Sequence, residues 1–154
     1  MTAAATLRVV AYEPRHAYEV MARNSVGNAD YFSSVPNWEE WAKKWKDAGP
    51  SYTVMANDSV VACGGIALSG WGTGEAWMLA SPIIRRFSVF VIRELRRRLP
   101  YLMTHRGLRR IQAVADASHL PSRKLLLLLG FEDEGRMKKY GPRGEMMILC
   151  SIVR

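Results

Sequence analysis

The sequence predicts a mixed α/β fold, in which one mixed sheet carries helices on both faces. Patterns typical of strands and helices follow one another in the order β-α-α-β-β-β-α-β-α-β-β. Three consecutive strands in the middle favour antiparallel hairpins, whereas the long helix that follows joins two strands that could lie parallel. With 154 residues, 49% of them hydrophobic, the chain is long enough for a core, and we expect a single domain over residues 1–154.

The first strand and the first helix are predicted close to the beginning of the chain. Residues Leu7–Tyr12 are mostly apolar and typical of a strand, and Pro14 is suited to open a helix that ends near Arg23. A polar, glycine-containing loop is expected to extend to Pro36.

The second helix is predicted to begin at a motif similar to a capping box, in which Asn37 precedes Glu40 by three residues. We expect it to end near the Gly-Pro pair at residues 49–50. One face of this helix carries three tryptophans at helical spacing: Trp38, Trp41 and Trp45. We interpret this stripe as part of the core, and the alternative is that it walls a substrate cleft.

The middle of the chain predicts a β-hairpin and then a further strand. Residues 51–56 (SYTVMA) and 59–68 (SVVACGGIAL) flank a two-residue turn, Asn57-Asp58. The glycine-rich segment SGWGTG leads into a fourth strand, which we expect from Glu75 to Ser81.

A long amphipathic helix is predicted from Ile84 to Leu99, because apolar and arginine side chains separate onto different faces. We expect Pro100 to end it, since proline inside a helix removes a backbone hydrogen bond. Residues 109–118 (RRIQAVADAS) then predict a fifth strand with a buried centre.

The following helix contains five consecutive leucines, Leu125 to Leu129. Five apolar residues are far fewer than the roughly 20 that cross a bilayer, which excludes a membrane span. Because leucines at about 100° intervals encircle the helix axis, we expect this helix to be covered on nearly every side, with Gly130 as its C-cap. Two strands follow, at residues 134–140 and 145–153, and an exposed last strand would allow pairing across a homodimer.

The net charge of +8 is concentrated in the second half of the chain. Residues 1–84 contain 6 Lys+Arg and 8 Asp+Glu, whereas residues 85–154 contain 16 and 6. This imbalance favours an anionic partner, which is nucleic acid, a phosphorylated cofactor or an acidic protein surface; the alternative is a solvated basic face without a partner.

Cys63 and Cys150 are far apart and outside any metal-like cluster, so we expect free thiols and no metal. The first residues lack the features of a signal peptide, which predicts a cytoplasmic protein.

The start of the long helix is a predicted anion site. After a strand, the N-terminus of a crossover helix presents unbonded N–H groups and the positive end of the helix dipole. Arg85 and Arg86 occupy this first turn, where positive charge opposes the dipole. Their position is better explained by a phosphate bound between them.

The element order, this helix start and the later helix that ends in Gly130-Phe131 resemble the GNAT superfamily of acyl-CoA-dependent N-acyltransferases, over essentially the whole chain. The segment LLGFEDEGRMKKYGPRGEMMILCSIVR is similar to the end of GNAT-like proteins of tailed bacteriophages and prophages. The resemblance implies a GNAT-like, mostly antiparallel sheet of six to seven strands, with a splay between strands 4 and 5. A phage-encoded protein would act in the host cytoplasm or in the virion.

The resemblance also implies acetyl-CoA as cofactor, with its pantetheine along the fourth strand and its pyrophosphate at the following helix. Family glycines in the loop Arg/Gln-x-x-Gly-x-Gly/Ala are replaced here by Arg86, Ser88 and Phe90. Their side chains narrow the approach to the backbone, so phosphate binding would depend on side-chain donors. The candidate cofactor-binding residues are Met78, Leu79, Ala80, Arg85, Arg86, Phe87, Ser88 and Arg123.

The catalytic pattern departs from the family as well. Counting back from the Gly-Phe pair, the position of the family's acid tyrosine holds Leu126, which has no proton to donate, and the asparagine position holds His119. The candidates that remain are Glu75 as a family-like base, His119 as a base of suitable intrinsic pKa, Tyr140 as an acid, and, more weakly, Asp116. Each has a structural alternative: a solvated strand residue, a helix cap or a ring packed against a turn.

Two functions are compatible with these residues. The first, which the arginines at the helix start favour, is direct transfer of an acyl group, expected to be acetyl, from CoA to an amine of a small molecule or protein. The second, which Leu126 and the replaced glycines favour, is a non-catalytic GNAT-like phage protein, virion-associated or bound to a host protein or nucleic acid through its basic second half. A nucleic-acid module of another fold is less favoured, because no helix-turn-helix, zinc or RNP-like motif accompanies the arginines of the long helix.

Overall fold

The computed structural model describes residues 3–23 and 34–154. Its order of elements is the predicted one, and the predicted loop before Pro36 lies mostly outside the described residues. The elements are β1 (Leu7–Ala11), α1 (Pro14–Arg23), α2 (Trp38–Ala48), β2 (Ser51–Ala56), β3 (Ser59–Leu68), β4 (Thr73–Ala80), α3 (Ile84–His105), β5 (Arg110–Asp116), α4 (Leu120–Leu128), β6 (Glu132–Met137) and β7 (Met147–Val153).

The seven strands form one mostly antiparallel sheet in the order β1-β2-β3-β4-β5-β7-β6. Strands β4 and β5 pair in parallel, and their register covers Thr73 to Glu75 before the strands splay. The last strand, β7, pairs with β5 on one side and with β6 on the other. The expectation that β7 is an exposed edge is therefore wrong, because neighbours within the chain already bond both of its edges.

The first of two compact units comprises Met1–Gly65 and Met78–Val91. Buried hydrogen bonds stabilise its core in addition to aliphatic side chains. The hydroxyl of Tyr12 donates to the carbonyl of Ala42 at 2.8 Å, and Nδ1 of His16 lies 2.8 Å from Oγ1 of Thr53. Burial raises the pKa of the Tyr12 hydroxyl and lowers the pKa of the His16 imidazole, so both groups stay neutral at pH 7.

The second unit comprises Ile66–Trp77 and Ile92–Arg154. Across its strands β5, β6 and β7, the guanidinium of Arg110 donates to both carboxylate oxygens of Glu134 at 2.7 and 2.6 Å. The hydroxyl of Ser151 donates to the same carboxylate at 2.6 Å. Arg110 first, and Ser151 second, lower the pKa of Glu134 to about 2. The carboxylate therefore stays ionised and joins three strands.

The described helices include none with the length and apolarity that crossing a membrane requires. Cys63 and Cys150 are buried free thiols, as predicted, and burial raises the pKa of Cys63 to about 12.

The long helix α3 does not end at Pro100 but continues to His105. Proline inside a helix costs about 3 kcal/mol, because one backbone hydrogen bond is lost and the ring crowds the preceding turn. In this chain the last turn is retained because Leu102 and Met103 are buried in the second unit. Burial of two large side chains contributes roughly 3–6 kcal/mol, which offsets the local cost.

The start of α2 and its tryptophans differ from the prediction. Asn37 has a left-handed backbone (φ 57°, ψ 40°) and makes no side-chain cap, because capping by a side chain requires an extended residue there. The carbonyl of Asn37 instead accepts from the amide of Glu40 at 3.0 Å. None of the three tryptophans is buried, and Trp41 is 50% exposed. The prediction that the stripe belongs to the core is therefore wrong.

Helix α4 confirms the predicted cap but not the predicted burial. Gly130 has φ +89°, and its amide donates to the carbonyl of Leu127 while the amide of Phe131 donates to that of Leu126. These two bonds form a Schellman motif, which needs a residue that tolerates positive φ. However, no residue of α4 is buried, and Leu127 is 69% exposed. The helix packs through part of its circumference, so some leucines of an encircling run remain in solvent.

Candidate functional site

The end of β4 in the first unit contains three of the proposed cofactor-binding residues. Leu79 is buried, while Met78 and Ala80 on the other face of the strand are half-buried. Alternation along a strand places successive side chains on opposite faces. At the end of β4, the face that carries Met78 and Ala80 is therefore the more accessible one.

Ser81 anchors the segment between β4 and α3. Its amide donates to the carbonyl of Val61 at 3.0 Å, and its hydroxyl donates to the carbonyls of Val60 and Val61 at 2.7 and 3.2 Å. The side chain is buried, so these bonds form away from water. The start of α3 is thus held in place by β3 through hydrogen bonds that sequence patterns did not reveal.

The first turn of α3 uses much of its own backbone hydrogen-bonding capacity. Pro82 has no N–H group, the amide of Ile84 donates to Ser81, and the amide of Arg86 donates to Ile83. Phe87 has non-helical angles (φ −118°, ψ 16°), so the regular helix is interrupted close to its start. The amides of Ile84 and Arg86 are therefore not free in the arrangement that a glycine-rich phosphate loop would offer. A bound anion would be held mainly by side chains.

The side chains at this helix start are positively charged. Arg85 and Arg86 are exposed, and the first turn contains no acidic residue. The guanidinium of Arg86 lies over the ring of Phe87, 5.4 Å from its centroid, and Ser88 is half-buried one residue further on. Guanidinium groups bind phosphate oxygens through charge-assisted hydrogen bonds. The residues present therefore fit a phosphate-bearing group. Side-chain donors would bind it in place of the backbone amides of a glycine-rich loop.

The start of α4 in the second unit holds a hydrogen-bonded polar cluster. His119 is the N-cap residue, and its Nδ1 lies 2.7 Å from Oγ of Ser122. Asp116 accepts from the amide and the hydroxyl of Ser118 at 2.8 and 2.7 Å, and these bonds lower the pKa of its carboxyl. Arg123 donates to the carbonyl of Ala117 at 3.4 Å. This cluster is satisfied largely by its own members.

Ser122 is the residue that sequence reasoning missed. Its position corresponds to the family's alanine, so the resemblance attracted no attention to it. The only sequence signal is the spacing of three residues from His119 across a helix start, which brings the two side chains onto one side of the first turn.

Glu75 and Tyr140 lie elsewhere in the second unit. Glu75 is exposed on β4, where its strand partner in the parallel register is Gln112. Tyr140 belongs to the segment between β6 and β7, and its side chain is 62% exposed rather than packed against the turn. Within the described residues, no recorded hydrogen bond or ion pair joins Glu75, His119 and Tyr140.

No protein-family model matches this chain, and no curated protein matches it. Solved structures do match. An acetyltransferase of the GNAT family from Bacillus anthracis has a TM-score of 0.70 at 18% identity, over 98% of this chain and 96% of that one. A chimeric spermidine N-acetyltransferase from Vibrio cholerae has a TM-score of 0.71 at 16% identity, over 96% and 95%. The ribosomal-protein-S18-alanine N-acetyltransferase from Escherichia coli has a TM-score of 0.67 at 14% identity, over 96% and 94%.

At such low identities the similarity shows the fold. This chain has the fold of the GNAT acetyltransferases, including the mostly antiparallel sheet and the parallel, splayed pair of β4 and β5.

Proposed function

We propose that this protein is an acyl-CoA-dependent N-acyltransferase that transfers an acetyl group directly to an amine. The observation that carries the proposal is the start of α3, where a helix N-terminus with two exposed arginines and no acid follows β4 in a GNAT fold. The charges of two arginines interact unfavourably with the positive end of the helix dipole, and a bound anion would offset this interaction. The pyrophosphate of CoA provides such an anion.

In this proposal the first unit binds the cofactor. The backbone of Met78 to Ala80 pairs with the pantetheine arm, and the donors of Arg85, Arg86 and Ser88 hold the phosphates. The contact of the Arg86 guanidinium with the ring of Phe87 restricts that side chain, and its N–H groups remain available for phosphate. Arg123, which belongs to the second unit, is a further cofactor-binding candidate that the resemblance implies.

Transfer to an amine requires removal of a proton from the nucleophile and stabilisation of the developing oxyanion. When bound, acetyl-CoA supplies the electrophilic thioester carbonyl. His119 acts as the base if its Nδ1–H donates to Ser122, because this tautomer leaves Nε2 with a free lone pair. Glu75 is the other candidate base, and Tyr140 is the candidate acid that replaces the proton donor absent at Leu126.

The proposed acceptor class is an amine of a small molecule or a protein. Two structural neighbours are described by such acceptors, spermidine in one case and a ribosomal-protein alanine in the other. Those names describe the neighbours, and for this chain they define the range of amines worth testing.

A second candidate function is a GNAT-like protein without catalysis. It is favoured by Leu126, a half-buried leucine at the position of the family's acid, and by the side chains that replace the loop glycines. In that case the protein would bind a host or virion partner, with the phage relationship itself part of the proposal.

The test of the first proposal is release of free CoA thiol. Purified protein is incubated with acetyl-CoA and a panel of amines that includes spermidine and peptides with an amino-terminal alanine, and the thiol is quantified. Acceptor-dependent release that is lost in Arg85→Glu/Arg86→Glu supports the enzyme. Binding of acetyl-CoA without release for any amine would instead support the non-catalytic alternative.

A further inference from the structure

The ends of α3, α4 and β7 form a groove of about 270 Å³ within the second unit. Leu99 and Met103 line it and are themselves buried, and Ile152 adds to its apolar lining. Small-molecule sites typically enclose about 300–1,000 Å³. The groove lies near the lower end of that range and is large enough to hold a single anchoring side chain.

Two arginines flank this apolar lining. Nε of Arg96 donates to the carbonyl of Leu128 at 3.1 Å, and Nη1 of Arg154 donates to Oγ1 of Thr104 at 2.8 Å. Each of these bonds positions one arginine side chain. Because a guanidinium has five N–H donors, each side chain retains donors for a ligand. Glu94, the acidic residue of α3, bonds to Arg97 and Arg98 and does not neutralise Arg96.

Helix α4 brings an exposed leucine, Leu128, to the groove. Leu128 lines the groove and is 48% exposed, and the neighbouring Leu127 is more exposed still. Helix α4 has no buried residue, so this apolar surface is available to a partner. The leucine run thus supplies contact area that the core of the unit does not use.

We propose that this groove binds an acidic, amphipathic segment of a partner protein. A leucine-like side chain of the partner would fill the space over Leu99 and Met103, and its carboxylates would bind Arg96 and Arg154. A buried apolar anchor with flanking charge-assisted bonds is a common centre of protein recognition.

Charge supports this partner over the alternatives. The second unit contains 14 Lys+Arg and 7 Asp+Glu, so an acidic segment is attracted to it as a whole. Nucleic acid would satisfy the arginines but leave the apolar lining uncovered. A second copy of the chain would bring the same excess of positive charge against itself.

The test uses a fluorescein-labelled helical peptide with leucines on one face and glutamates on the other. Its affinity is measured by anisotropy for the native protein, Arg96→Glu and Leu128→Ser. Arg93→Glu and Leu120→Ser are matched controls, because they change an exposed arginine of α3 and an exposed leucine of α4 outside the groove. Thermal midpoints establish that all variants fold, and methyl NMR reports whether Met103 and Ile152 shift on binding.

We expect the two groove variants to bind about tenfold more weakly and the two controls to bind within about twofold of native. Serine in place of the peptide's leucines should abolish the methyl shifts. Equal loss in Arg93→Glu and Arg96→Glu, or no binding of the peptide at all, would overturn the proposal. So would a DNA duplex that loses affinity in Arg96→Glu while the peptide does not, or a dimer that Leu128→Ser converts to monomer.

Discussion

The two helix starts that contain candidate site residues treat charge in opposite ways. At the start of α3, the side chains of Arg85 and Arg86 make no hydrogen bond or ion pair with the described residues, and no acid is present in the first turn. At the start of α4, His119 contacts Ser122, and Asp116 is bonded to Ser118. The arginine side chains at the start of α3 can therefore bind a group from outside the chain, whereas the polar side chains at the start of α4 bond to one another.

The two helix starts are therefore suited to different proposed roles. A helix start with unpaired positive charge is suited to hold a phosphate, whereas a hydrogen-bonded histidine is suited to present one nitrogen in a defined tautomer. The family resemblance alone did not separate these roles, since it assigned candidates to both helices by position.

The largest expected effect is at the start of α3. Replacement in Arg85→Glu/Arg86→Glu puts two negative charges where the phosphates are proposed to bind, and calorimetry should then detect no acetyl-CoA binding. The matched control is Arg93→Glu/Arg106→Glu, which makes the same change of charge at exposed arginines further along the chain. Equal loss in both would mean that the overall charge matters rather than this helix start.

The next effect is at the start of α4. His119→Gln should lower kcat about hundredfold if His119 is the base, with acetyl-CoA affinity unchanged. Ser122→Ala should lower kcat less, because only the preferred tautomer is lost, and Ser122→Thr should restore part of the rate. Steady-state kinetics checks this, and an unchanged kcat in His119→Gln would remove the histidine from the mechanism.

The anchoring serines of the two helix starts should differ in their contribution to folding. Ser81→Ala removes the buried hydroxyl that bonds Val60 and Val61, and the free energy of unfolding should fall by about 1–3 kcal/mol. Ser118→Ala, at an exposed residue, should cost less than about 0.5 kcal/mol. Urea denaturation measures both, and equal costs would contradict the buried anchor.

The smallest effect is a pH dependence at Asp116. Its pKa is lowered in the folded state by Ser118, so its contribution to stability is present above the unfolded pKa of about 3.9 and is lost as pH falls through the folded value. Asp116→Asn should therefore be less stable than native at pH 7, and the difference should vanish in acid. Thermal midpoints over a pH series check it; a gap that persists in acid would assign the effect to packing.

Local rules predicted the order of elements and several turns. The Asn57-Asp58 hairpin and the cap at Gly130 depend on residues that tolerate positive φ, and both have it: Asn57 at φ 51° and Gly130 at φ +89°. The family resemblance predicted the splay of β4 and β5, which follows from chain topology.

Contacts distant in sequence decided the rest. Burial of Leu102 and Met103 carries α3 past Pro100, and pairing of β7 with two strands removes the predicted edge. The anchor from Ser81 to β3 and the exposed side of the leucine helix likewise depend on what lies nearby in space. Periodicity reports which residues are apolar, but not how much of a helix its neighbours cover.

The most direct test of the central claim is the thermal midpoint of unfolding with and without saturating acetyl-CoA. A ligand that binds the folded state at about a hundred times its Kd adds about 2.7 kcal/mol, which for a chain of this size raises the midpoint by roughly 5–10 °C. The account predicts such a rise with acetyl-CoA and little with acetyl-pantetheine, which lacks the pyrophosphate. Equal midpoints with and without acetyl-CoA would contradict the assignment of the α3 start as a cofactor site.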